Sequence, residues 1–386
     1  MGGFLSTECD CTGTIINETA KSITLAPTDA NPDIAGIGAI SAAATTAIIT
    51  AIASIFLLGL KGFNLFSKSP EQIQQKAQEN KTTLRHIAEA VLLTLSDQQL
   101  VIAPATLVTA GLKGNWCSLS AYHMNIVSYC AVLAIVTHLG SLVTQTHYFQ
   151  YKAVGSFRAI MILCTVVLTA MFANNRTSTY FPTDKSNLQA GLAACLVSNN
   201  STLWDNITDA EKTVVTSSGV IEFYFLCASY LVSLAIAFVH SRHIVHKGRH
   251  VTRQKVSFVL CVLVVLICII ILGITLHRLY TLRNWMINDS KLLNEGDSEN
   301  EWGFGQLMPV FLLVVMTLYA LLGAISDYWQ ERPLYHEKNP TRPENRRDDT
   351  DQELLKYPVQ ETGYYGNQGP QGYQSPQGYQ APYGNA

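Results

Sequence analysis

Seven apolar runs, each set off from the next by a polar segment, occupy most of this chain. A helix rising about 1.5 Å per residue needs roughly 20 apolar residues to cross a hydrocarbon core about 30 Å thick. By that measure the pattern predicts spans over residues 34–60, 87–112, 120–144, 154–174, 219–239, 256–276 and 305–325. The fourth is the weakest, because its unbroken apolar run covers only residues 159–173. It crosses only if Arg158 snorkels to the interface or the helix packs among neighbours. Were it not to cross, everything downstream would change sides. The expected fold class is all-α: a polytopic membrane protein whose seven-helix bundle (34–326) lies between an outer amino-terminal segment (1–33) and a cytosolic, disordered tail (327–386).

The polar segments predict the sidedness. Lys61, Lys68, Lys76, Lys81 and Arg85 fill one loop, Lys152 and the nearby Arg158 mark a second, and Arg242, Lys247, Arg249, Arg253 and Lys255 fill a third. Between them, the loop 113–119 has only Lys113, and 277–304 is dominated by Asp289, Glu295, Asp297, Glu299 and Glu301. Basic loops stay in the cytosol, so the amino end is expected outside and the carboxyl tail inside. N-glycosylation sequons agree: Asn17, Asn175, Asn199, Asn200, Asn206 and Asn288 all fall on the outer side, and only Asn80 falls inside. The inverted arrangement has one motif in its favour, the myristoylation-like Met1-Gly2-Gly3-Phe4-Leu5-Ser6. Two independent signals outweigh it. The first residues lack a basic and then apolar leader, so no cleavable signal peptide is expected and the first span directs insertion.

Composition narrows the classes further. At 386 residues, 48% hydrophobic and 14% charged, the chain is too apolar for an ordinary soluble domain. A net charge of -2 offers no reason to expect a nucleic-acid partner; the expected environment is the lipid bilayer. Of nine cysteines, Cys9, Cys11, Cys117 and Cys195 lie on the oxidising outer side and the other five within spans. Position favours a Cys117–Cys195 bridge holding the long 175–218 loop over the bundle. Pairing of either with Cys9 or Cys11 is the alternative, since four cysteines allow three connectivities.

Polar residues inside apolar spans are the candidate chemistry, because lipid burial of an ionisable group is costly. The second span contains Asp97, Gln98 and Gln99 near its middle, with Pro104 beyond them as an expected kink. The third carries Tyr122, His123, Asn125, Tyr129 and His138. His138 is expected level with Asp97 on an antiparallel neighbour, and an Asp97–His138 bond would serve proton coupling or a packing switch. Interhelical glue explains the same residues more simply. Glu89 and Glu222 sit near interfaces and need no special role. His240, His243, His246 and His250 lie among basic residues, where contact with anionic lipid asks less than a zinc site does. No metal or cofactor is expected. The tail ends in a near-repeat of Pro-Gln-Gly-Tyr-Gln, too poor in aliphatic residues to build a core. A cytosolic partner of this tail and a lipophilic small molecule are the candidate partners besides lipid.

Five segments carry a resemblance to a family of fungal multi-pass integral membrane proteins. They are Asn31-Pro-Asp-Ile-Ala-Gly-Ile-Gly38, Leu95-Ser-Asp-Gln-Gln-Leu-Val101, Cys117-Ser-Leu-Ser-Ala-Tyr-His123, Val136-Thr-His-Leu139 and Trp302-Gly-Phe-Gly-Gln306, the last followed by Pro309. The chain departs from the family pattern at Met124, where tryptophan is usual, and after Leu139, where basic residues thin to Lys152 and Arg158. The resemblance implies a filamentous-fungal source and a receptor-like seven-helix architecture, and transfers no catalytic residue.

Seven spans, an outer amino end and a long tail suit a receptor-like sensor. Against it, the third span ends Thr146-His-Tyr-Phe149 and the seventh reads Met316-Thr-Leu-Tyr-Ala-Leu-Leu322, without the switch motifs of familiar receptors. The alternative is a membrane-embedded tailoring enzyme, cyclase-like, or an accessory protein of a secondary-metabolite gene cluster, with Asp97 as proton donor. No Asp-rich diphosphate motif, His box or nucleophile–base pair supports it. A transporter is less favoured, as no internal repeat is visible.

Overall fold

The computed structural model describes residues 9, 15–19, 22–25, 27–66, 83–112, 117–145, 152–176, 181–197, 218–243, 251–294 and 299–338. The chain divides into two units, Met1–Arg332 and Pro333–Ala386. Of the second unit only residues 333–338 are described. The expected tail beyond Lys338, the loop 244–250 with His246 and His250, Asn80, Cys11, Asn199, Asn200 and Asn206 lie outside the described residues.

Before the bundle, strands β1 (Ile15–Thr19) and β2 (Ser22–Leu25) pair antiparallel with Glu18 opposite Ile23. The chain then makes a short helix α1 (Pro32–Ala35), which has proline in its first turn, where the missing N–H costs nothing. Gly36 breaks it in an extended conformation, and the long helix α2 (Ile37–Phe66) begins. There follow α3 (Thr83–Gly111), α4 (Ala121–Thr144), α5 (Lys152–Asn175), the short α6 (Ala193–Val197), α7 (Ser218–His243), α8 (Val251–Asn288) and α9 (Phe304–Lys338).

Six stretches, within α1–α2, α3, α4, α5, α8 and α9, are long and apolar enough to cross a membrane. The protein is an all-α, multi-pass integral membrane bundle. In α7 the described apolar stretch is shorter, Phe223–Ser233, so six of the seven expected spans meet the length requirement among the described residues. The fourth expected span is one of the six: α5 supplies Ala153–Asn175.

Helix α4 is the axis of the bundle. It packs against α2, α3, α5, α7 and α8, and every residue from Ala121 to Thr144 except Cys130 is buried. Ser120 caps its start, accepting from the His123 amide. Three of its hydroxyl residues are satisfied within apolar packing by turning back on their own helix, whereas the buried Ser141 hydroxyl has no hydrogen-bond partner among the described residues. Ser128 donates to the Met124 carbonyl (2.8 Å), Thr137 to that of Leu133 (2.9 Å) and Thr144 to that of Gly140 (2.7 Å). Helix α9 is the opposite case: Phe304, Phe311, Leu318, Tyr319 and Leu322 are all exposed, as suits a helix bathed in lipid.

Helix α8 overshoots its expected apolar run. It continues from 276 to Asn288, where its apolar residues narrow to one buried stripe of Leu279, Leu282 and Met286. Beyond it, Lys291 takes a positive φ, and the Thr28 amide donates to the Leu292 carbonyl (2.8 Å). Between α5 and α7, residues 181–197 fold over the start of α4. The Ala121 amide donates to the Gly191 carbonyl and the Ala193 amide to that of Leu119, both at 2.8 Å. Phe181, Leu188 and Leu196 pack there with Leu107, Met124 and Phe172.

Candidate functional site: two polar clusters on the central helix

One end of the bundle carries the Cys9–Cys117 disulfide (Cα–Cα 5.4 Å) and is called the disulfide end here. Cys117 therefore does not pair with Cys195. Cys9, from the amino-terminal segment, packs with the cluster of Leu119 and Met124 at the start of α4, next to Cys117. Cys195 is disulfide-bonded as well, to a partner outside the described residues.

The first cluster lies where α3, α4, α5 and α7 meet. Asp97 does not bond to His138. Both of its carboxylate oxygens accept from Arg158, from Nε at 2.6 Å and Nη2 at 2.5 Å, a fork that joins α3 to α5. His138 instead bonds through Nδ1 to the Ser96 hydroxyl (3.0 Å), one residue from Asp97. The expected partner fails because Asp97 projects toward α5, and Arg158, free to face lipid or a carboxylate, takes the carboxylate. Tyr230 of α7 completes the group, its ring centroid 6.3 Å from that of His138 and its hydroxyl donating to the Ala159 carbonyl (3.3 Å). Gln98 turns a third way, toward the Pro309 carbonyl of α9 (3.4 Å), with its Oε1 buried and unpartnered. Gln99 is buried too. The charge that weakened the fourth expected span is thus paired with a carboxylate in a partly buried contact between α3 and α5.

The second cluster is at the disulfide end. Glu299 is buried with no exposed side-chain surface. One of its oxygens accepts from the Tyr122 hydroxyl (2.7 Å), and the other is bonded to His123 Nε2 (3.1 Å). His123 Nδ1 is in turn bonded to the Ser120 hydroxyl (2.7 Å). Around this core the neighbouring chain segments lock together. Arg283 of α8 donates to the Ala35 carbonyl (2.9 Å) and to Asn300 Oδ1 (2.7 Å). Gln306 of α9 accepts from the Gly38 amide (2.9 Å) and donates to the Glu301 carbonyl. Asp33 accepts from the Gly305 amide (3.1 Å).

Two buried groups deeper on α4 anchor the segment 181–197 and the end of α5. Asn125 donates to the Pro182 carbonyl (2.9 Å) and to Gln189 Oε1 (3.1 Å). Arg176, buried at the end of α5, places its guanidinium 4.9 Å from the Tyr129 ring centroid, a cation–π contact, and donates to the Tyr129 hydroxyl (3.3 Å).

Of the expected intramembrane residues, Tyr122 and His123 meet at one site, and Asp97 and His138 are neighbours without touching. Sequence reasoning missed Glu299, Arg283 and Gln306, and treated Arg158 only as an obstacle to crossing. An Asp in the second span and an Arg in the fourth are a signal that pairing was required. Glu299 had no such mark among the acidic residues of its loop. Among the described residues, no group of three or more His, Cys, Asp and Glu converges to hold a metal ion.

The sequons divide as well. Asn288 is exposed at the end of α8. Asn175 is buried at the end of α5 with its Nδ2 enclosed, so a glycan on that nitrogen has no room, and the expectation for this site is corrected. Asn17 lies in β1.

A scan against protein-family models and searches of curated proteins and of solved structures returned no match to this chain.

Proposed function

We infer that this chain is a receptor-like sensor of the fungal multi-pass family it resembles, with the disulfide end outside the cell or in the lumen. One observation carries the reading: a single buried helix, α4, holds both polar clusters, with Tyr122 and His123 at one end and His138 toward the other. A change in the packing at the disulfide end is mechanically connected to the Ser96–His138 and Asp97–Arg158 contacts, because interior packing is close and does not deform continuously. Basic loops and sequons support the orientation. The family reading gains from where the resembling segments meet: 31–38 lies on 302–306, and 95–101 on 136–139.

The enzyme alternative needs Asp97 as a proton donor, and both Asp97 oxygens are engaged as acceptors from Arg158. Deletion of the gene with transcript and metabolite profiling tests the reading. Loss of an inducible response with the metabolite pool unchanged is expected. Accumulation of an unmodified precursor would contradict it in favour of a tailoring enzyme, and loss of export in favour of a transporter.

A further inference from the structure

We propose that Arg176 and Tyr129 form a binding site for the carboxylate of a small apolar acid, taken up at the disulfide end. The binding is a property of the protein itself; that the acid is the stimulus rests on the sensor reading. Arg176 stands at the end of α5 and is only 4% exposed. An arginine keeps its charge when buried, and an enclosed charge is costly without a counter-charge or full hydrogen bonding. Among the described residues Arg176 has neither. Its guanidinium makes one long hydrogen bond, from Nη2 to the Tyr129 hydroxyl (3.3 Å), and lies 4.9 Å from the centroid of the same ring. Its Nε–H is enclosed and unpartnered. The ion pairs of the described residues engage other groups: Arg85 with Glu89, Arg158 with Asp97 and His123 with Glu299. Asp184, the one carboxylate within 181–197, is exposed.

The donors define the ligand group. One guanidinium balances one negative charge, which selects a monoanion. Nε and Nη2 lie along one edge of the guanidinium, the edge with which Arg158 holds both oxygens of Asp97. A carboxylate matches that edge with two parallel bonds. Nη2 carries two hydrogens, and Tyr129 takes only one of them. The Tyr129 hydroxyl accepts from Nη2 and keeps its own proton, a third donor for the same carboxylate.

The surroundings define the rest of it. Tyr129 belongs to a buried apolar cluster with Ile126, Leu133, Ala173, Phe223 and Leu226, so the body attached to the carboxylate is apolar. Asn125 lies one turn nearer the disulfide end on the same face of α4. Its Nδ2 is committed to Pro182 and Gln189, while its Oδ1 is buried and unpartnered, an acceptor for a hydroxyl on the acid. Through the same two bonds Asn125 places residues 181–197 over the site. Asn174, two residues before Arg176, and Asp184 are exposed, so the approach from solvent is along the seam between α5 and that segment.

Thermal unfolding of the full-length protein in phosphatidylcholine nanodiscs tests this with phenylpropionate, its neutral amide phenylpropionamide, and inorganic phosphate at equal ionic strength. Phenylpropionate should raise the melting temperature saturably, and the amide and phosphate should not. R176Q should weaken the apparent affinity for phenylpropionate by about tenfold or more. Tyr129→Phe, which keeps the ring and loses the hydroxyl, should weaken it by about three- to tenfold. If R176Q does not fold, the comparison of acid with amide on the wild type and on Tyr129→Phe still decides. No shift with phenylpropionate overturns the proposal, as does an equal shift with the amide or a shift unchanged in the variants. Stabilisation by phosphate as strong as by phenylpropionate overturns it too, because any anion then suffices. A saturable shift with no change in amide hydrogen exchange at 83–95 or 139–145 upholds the site and counts against the sensor reading.

Discussion

Ser96, Asp97 and Gln98 stand about 100° apart around α3, so consecutive side chains reach three different neighbours. They bond to α4 through His138, to α5 through Arg158 and to α9 through the Pro309 carbonyl. The polar run Asp97, Gln98 and Gln99 was legible as candidate chemistry; which neighbour each side chain addresses depends on helix rotation, which the sequence alone does not specify. The Asp97–Arg158 fork should behave as a coupled unit. Asp97→Ala and Arg158→Ala should each lower thermal stability in detergent, and the double variant should lose less than their sum. The coupling should be roughly 0.5–3 kcal/mol, and additive losses would show that the pair contributes nothing. A second residue-scale prediction concerns the sequons. Glycopeptide mapping should find Asn175 unoccupied, because its amide nitrogen is enclosed, and Asn288 available. A sequon marks an acceptor by three residues and carries no information on whether the first of them is buried.

The elements were the most legible level. Among the described residues each apolar run falls on a long helix, and the differences lie at the helix ends. Hydropathy stops reporting α8 at 276 because the helix leaves the apolar layer there, while its stripe of Leu279, Leu282 and Met286 keeps it packed. Contacts between helix ends were not readable at all. The start of α2 and the start of α9 approach so closely that a Cβ on Gly36 would collide with the Pro32 carbonyl and the Gln306 side chain. Gly36→Ala should therefore cost about 1–3 kcal/mol, since a backbone atom has to move. Gly323→Ala, with nothing within 4 Å, should be close to neutral by the same unfolding assay. Cysteine connectivity was equally hidden, since spacing gives no direction of approach. Non-reducing peptide mapping should recover Cys9 linked to Cys117, and a Cys117–Cys195 peptide would refute the placement of the amino-terminal segment.

At the scale of the molecule, a buried α4 ringed by five helices and a lipid-exposed α9 describe a bundle that closes around one helix. Segments far apart in the chain meet there through polar contacts, Gly38 with Gln306 and Ser96 with His138. Sidedness turns on whether α5 crosses with its arginine paired to Asp97. Single-sequon variants that keep only Asn17, only Asn206 or only Asn288 read this out directly by sensitivity to endoglycosidase. A glycan on each of the three is the expected result. Modification at Asn17 without modification at Asn206 and Asn288 would mean that α5 does not cross, and would contradict the topology on which the sensor reading stands.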